Sequence, residues 1–171
     1  MRKQRRVRKQ RKTLLVVGEG HTEVAFLNYL KALYCRELSS ASVKVENAQG
    51  KGPENVLNTA ISRQKRASYD RVVAVLDTDI EWTAALKKDA KKHGVLLVGN
   101  KPCIEALFLA LLGHKSFSET ARCKEALVGV ISADLLNKDS YASWCTKEML
   151  ECLRRVNVGL NALLKLYEGS W

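Results

Sequence analysis

The chain has 171 residues, 46% of them hydrophobic, with 29 Lys and Arg against 18 Asp and Glu. That suffices for one compact domain with its own core and is short for two, and it excludes an intrinsically disordered chain, a collagen and a membrane-spanning protein. Eight basic residues, Arg2, Lys3, Arg5, Arg6, Arg8, Lys9, Arg11 and Lys12, crowd the start with no acid among them, which leaves 21 basic against 18 acidic side chains beyond Lys12.

Most of the net charge of +11 therefore belongs to residues 1–12. That stretch has nothing to bury and is expected to be a flexible basic arm suited to a polyanion. The first apolar run, residues 14–17, is cut off by Gly18 and Glu19. It is shorter than the roughly 7–15 residues of a secretory core and the ~20 of a membrane span. Cys35, Cys103, Cys123, Cys145 and Cys152 are odd in number and contain no C-x-x-C pair. They read as small buried side chains in a reducing cytoplasm rather than as disulfides or zinc ligands.

From Thr13 onward, apolar runs alternate with helical periodicity. Strands are expected at residues 14–17, 43–45, 72–76 and 95–98, and helices at about 23–37, from Pro53 to about Arg66, and at about 82–92. The strand runs lack polar alternation, so they read as parallel strands buried on both faces. A helix is expected at 104–112, one or two short ones within 116–140, and then one amphipathic helix of some 25 residues bent at Gly159. Residues 113–171 thus form a helical extension on the same domain.

In an open parallel sheet the ligand crevice lies beyond the carboxyl ends of the strands. The sequence puts acids there. The first strand runs into Gly18-Glu19-Gly20-His21-Thr22-Glu23 and the third into Asp77-Thr78-Asp79, whose two carboxylates would point the same way on an extended segment. The fourth ends in Gly99-Asn100-Lys101-Pro102-Cys103-Ile104-Glu105. Converging carboxylates repel unless a cation sits between them, and an all-oxygen set favours Mg²⁺ or Mn²⁺ over zinc. Lys101 reads equally as a phosphate contact or a solvated loop lysine. Lys51, in Gln49-Gly50-Lys51-Gly52-Pro53, lacks the spacing of a nucleotide P-loop but can touch a phosphate.

These three segments resemble the Toprim superfamily and, within it, its RloB-like branch, over about residues 13–112. The resemblance implies a Toprim-like α/β sheet of about four mainly parallel strands with a helical extension, and metal-dependent phosphodiester chemistry on DNA or RNA in a defence setting. It assigns Glu19 as the acid/base glutamate, Asp77 and Asp79 as Mg²⁺ ligands, and Glu23 and Glu105 to a second metal or the outer shell. Lys101 is inserted between the expected Asn and Pro, and Ile104 and Leu107 stand where the branch has aromatic residues. A nuclease is the expected function; a binding or regulatory subunit without catalysis is the alternative. The chain leaves no room for its own ATPase, so a separate ATPase partner and a homo-oligomer stay open, with no membrane role.

A D-x-D after an apolar strand also suits haloacid-dehalogenase phosphotransferases, but those carry it on the first strand. A response-regulator receiver needs an acidic pair after strand one, where only Glu19 stands.

Overall fold

Four apolar runs pair into one all-parallel sheet. β1 (Thr13–Gly18), β2 (Ser42–Asn47), β3 (Arg71–Asp77) and β4 (Val95–Asn100) lie in the order β2-β1-β3-β4 in a computed structural model that describes residues 10–171. Each strand is one or more residues longer than its apolar run, because backbone pairing continues past the last buried side chain.

The unbroken apolar runs have a direct cause. Leu14, Val16, Val73 and Val75 point into one core and Leu15, Val17, Val72, Ala74 and Leu76 into the other. Side chains alternate along a strand, so a strand covered on both faces has no outlet for a polar one. Full burial of each is worth about 1.5–3 kcal/mol as an upper figure.

α2 (Pro53–Arg66) and α3 (Ala84–His93) cover one face. Pro53 sits at the first helical position of α2 and Arg63, Lys65 and Arg66 in its last turn, matching the missing N–H donor and the dipole. Thr83 opens α3 by accepting the N–H of Leu86 at 3.1 Å, and Gly94 closes it at φ 67°. The other face carries α1 (His21–Tyr34), α4 (Ile104–Leu111), α5 (Thr120–Val128), a 3₁₀ helix (Lys138–Ser143), α6 (Lys147–Leu153) and α7 (Val158–Tyr167). Residues 113–171 are part of this core: Leu150, Leu164 and Tyr167 are fully buried in it.

Three expectations are corrected. The long C-terminal helix is two helices, α6 and α7: Asn157 stops the run and accepts the N–H of Leu160 at 2.9 Å, so α7 starts there and Gly159 lies in its first turn rather than at a bend. Arg11 and Lys12 are not part of a free arm. The Arg11 guanidinium donates to the carbonyls of Cys35, Ser40 and Ala41 at 2.8–3.1 Å, while the Lys12 ammonium donates to the carbonyls of Gly169 and Trp171 and sits over the Trp171 ring. Arg2, Lys3, Arg5, Arg6, Arg8 and Lys9 lie outside the described residues. Finally, Cys103, Cys123 and Cys145 are buried as expected, but Cys152 is exposed, since it falls on the outer face of α6. All five thiols are free.

Candidate active site

The strand order reverses direction between β1 and β3, and the crevice of such a sheet opens at that switch. Glu19 follows β1, and Asp77 is the last residue of β3. Glu23 stands in the first turn of α1 and Glu105 in the first turn of α4, both helices leaving this same edge.

Asp77 is where the charges meet. Burial first, and then the charges of Glu23, Glu105, Glu19 and Asp79, together push its carboxyl up to about 8. All five acids singled out from the sequence thus share one field. Glu23, 8% exposed, is also raised, chiefly by burial and then by Glu105 and Glu19, although its Oε2 accepts the Gly20 N–H at 3.0 Å. Two buried carboxylate oxygens have no hydrogen-bond partner among the described residues, Asp77 Oδ1 and Glu105 Oε2. The other oxygen of Glu105 stands 4.0 Å from the Lys124 ammonium. Buried unpaired acceptors of this kind cost about 1–3 kcal/mol each, more when charged.

Asp79 differs from its expected placement. β3 ends at Asp77, and the chain then turns so that the N–H of Thr78 donates to the carbonyls of Asn100 and Pro102, and the N–H of Asp79 to that of Pro102 at 3.0 Å. Asp79 is therefore off the extended segment and exposed at the rim. Its Oδ1 accepts the N–H of Ile80 at 2.9 Å and its Oδ2 the Thr120 hydroxyl at 3.1 Å.

The basic candidates stay on the rim. Lys101 is exposed on the turn between β4 and α4. Lys51 is exposed on a loop in which Gln49, Gly50, Lys51 and Gly52 all have positive φ, between 62° and 81°. That loop lies against the first acid, since the N–H of Gly50 donates to the carbonyl of Glu19 at 2.8 Å. His21 is exposed, with Nδ1 3.2 Å from the Asn47 amide nitrogen.

The donors fit a hard divalent cation: oxygen only, partly buried, two of them unpartnered, and mutually repelling. Among the described residues, no three His, Cys, Asp or Glu side chains stand close enough to grip one ion as they are turned. Glu23 and Asp79 are each held by a neighbouring backbone N–H, of Gly20 and Ile80.

The family model for RloB-like protein matches residues 14–149. The chain belongs to the RloB-like family. Comparisons with curated proteins and with solved structures find no match. The matched span contains the whole acidic edge of this RloB-like chain and stops before α7.

Three further residues shape the edge and were not given a role by sequence. Asn100 pairs with Asp77 in the β3–β4 register, and its buried Nδ2 has no partner. Trp82 donates its indole N–H to the carbonyl of Asp77 at 3.0 Å, and its ring lies over Gly99, where a Cβ would meet Trp82 Cη2 at 2.9 Å and Thr78 Cγ2 at 2.8 Å. Lys124 faces Glu105 from α5. Strand register could have drawn attention to Asn100; nothing in the spacing of the chain points to Trp82 or Lys124.

Proposed function

We propose that this protein is a metal-dependent phosphodiester hydrolase of Toprim type that acts on nucleic acid, with Mg²⁺ or Mn²⁺ as its cofactor. The observation that carries this reading is Asp77: a half-buried carboxylate at the switch point, pushed up to about 8 by burial and by four other acids, with one oxygen left without a partner. Such a site gains from a cation, since the ammonium of Lys124 stands against Glu105 and not against Asp77.

Asp77, Glu23, Glu105 and Glu19 are the residues that would hold the ion, with Asp79 reaching it from the rim. A divalent cation bound there supplies Lewis-acid polarisation of a phosphodiester oxygen. Glu19, half-buried on its turn, is the residue placed to take the proton of an attacking water. Lys101 and Lys51, both exposed at the edge, offset charge on the phosphate. The membership in the RloB-like family and the order of the three acidic segments support the Toprim assignment and a role in defence. No helix among the described residues is long and apolar enough to cross a membrane.

The test incubates plasmid DNA and bulk transfer RNA with the protein in Mg²⁺, Mn²⁺ or EDTA, beside Asp77→Ala and Glu19→Gln. Cleavage is expected with metal and is lost in EDTA and in both variants. Cleavage that survives EDTA, or both substitutions, overturns the metal reading; strand binding without cleavage in any metal favours the non-catalytic subunit instead.

A further inference from the structure

Among the described residues, one face of α1 is left open as a groove. His21, Ala25, Asn28, Ala32 and Cys35 recur at spacings of four and three, so they form one stripe. They line two adjoining cavities of about 440 and 450 Å³ that share Asn28 and Lys138, which makes the groove continuous. The edge strand β2 flanks one end through Ser42 and Val43, and the start of the 3₁₀ helix flanks the other.

The lining is basic. Arg11, Lys31, Arg36 and Lys138 supply four cations, and the carboxylate that lines it, Asp139, is paired with Lys138 at 2.7 Å. Arg11 is fixed there by its bonds to three carbonyls, so its charge is part of the wall rather than a swinging side chain. The other end of the stripe is His21, two residues from Glu19. Arg11, Lys31 and Arg36 line the end of the groove away from His21, while Lys138 and Asp139 are the charged pair nearer it, and this layout solves a physical problem: the carboxylates repel a polyanion, and the basic end holds it.

We propose that this groove seats the sugar-phosphate backbone of a single nucleic-acid strand and leads it to the acidic edge. The proposal rests on the phosphodiester reading for what happens at that edge, whereas the seating itself can be measured without it. From His21 to Cys35 the stripe is about 21 Å long at 1.5 Å per residue. Neither lining contains Phe, Tyr or Trp, so bases have no broad stacking platform and binding is blind to sequence.

The experiment measures fluorescence anisotropy of labelled short oligo-dT, oligo-dA and a duplex of the two, over a salt series in EDTA. The full chain is compared with Lys31→Glu/Arg36→Glu and with Lys87→Glu/Lys88→Glu, which makes the same charge change on exposed positions of α3, across the sheet. The expected result is equal affinity for the two single strands, weaker binding of the duplex, and a loss of about tenfold confined to the first variant. Its salt slope falls by about 1.4, or 0.7 for each phosphate that the variant no longer neutralises. Ala32→Glu, at an exposed position in mid-stripe, gives the same loss and covers the case in which the double variant does not fold. Equal losses in the α1 and α3 variants, a preference for duplex, or no binding at all overturns the groove. Selective loss in the α1 variants with no cleavage in any metal keeps the groove and removes the hydrolase; cleavage with equal losses does the reverse.

Discussion

Asp77 and Asn100 close the β3–β4 pairing opposite each other, and each carries a buried polar atom without a partner, Oδ1 on the first and Nδ2 on the second. Paired residues of a sheet project to the same side, which for these strands is the side of Val75, Val98 and α1. Replacing Asn100 by Asp puts a sixth carboxylate beside Asp77. Expected are a lower melting temperature in EDTA and a larger rise on adding Mg²⁺ than the unaltered chain shows. Calorimetry in the two buffers measures both; an unchanged rise would mean that position 100 does not face the acidic field.

The raised carboxyl of Asp77 also fixes a pH dependence. In the unfolded chain this Asp ionises near its ordinary ~3.9, whereas in the fold it keeps its proton up to about 8. Between those values the folded state binds the extra proton, so this group's contribution to stability is full below pH ~4, falls as pH rises through the window, and is lost above about 8. Glu23 adds to the same trend, being raised as well. Melting temperature in EDTA should drop over that range. Asp77→Asn flattens the curve. A melting temperature that climbs with pH would contradict the burial of this group.

Gly99 sets how closely the turn after β3 packs on β4. A methyl group there collides with Thr78 and with the Trp82 ring at under 3.0 Å. Gly99→Ala must displace Trp82 and break its bond to the Asp77 carbonyl. The expected cost is about 1–3 kcal/mol of stability. Cleavage, where present, should fall further than stability alone explains, because the Asp77 backbone shifts. Denaturant melts and a cleavage assay at a temperature where the variant stays folded separate the two effects.

Arg154 joins α6 to α7. Its guanidinium donates to both oxygens of Glu168, at 2.6 and 3.0 Å, and to both of Glu151 at 3.2 Å, with its side chain 13% exposed. Arg154→Ala leaves those two acids facing each other and should cost about 2 kcal/mol. Arg154→Lys should recover little of it, since an ammonium cannot repeat the planar fork. Equal stability of the lysine variant and the parent in urea melts would rule out the fork as the source.

Arg11 and the six cations before it differ in that Arg11 also carries a structural load. Arg11→Ala strips three carbonyls of their donor and is expected to lower stability by about 1–2 kcal/mol. Deleting residues 2–9 should instead lower nucleic-acid affinity and the salt slope, by up to about 0.9 for each duplex phosphate that is no longer neutralised. Thermal melts and salt titrations on the two variants check the division.

The alternation of strands and helices, their parallel pairing and the acidic character of the strand ends are all legible along the chain. Each rests on local physics: side-chain alternation, helical periodicity, and the turn that must follow a strand. The C-terminal break is harder to read, because the spacing of Leu153, Val156, Leu160 and Leu164 fits one helix and only the cap formed by Asn157 interrupts it. Asp79 falls in the wrong place when the strand is assumed to run on past Asp77. Its turn is imposed by the Pro102 carbonyl, a partner more than twenty residues away.

By itself, then, the sequence determined the class of fold and the residues that gather at its acidic edge, since both follow from periodicity and from where strands end. Only the tertiary structure decided which acid feels all the others, which oxygens lack partners among the described residues, and that Arg11 is pinned to three carbonyls in a groove that Lys31 and Arg36 also line. Those outcomes depend on burial and on contacts between distant segments, and the energy of a charge is set by what surrounds it rather than by its neighbours in the chain.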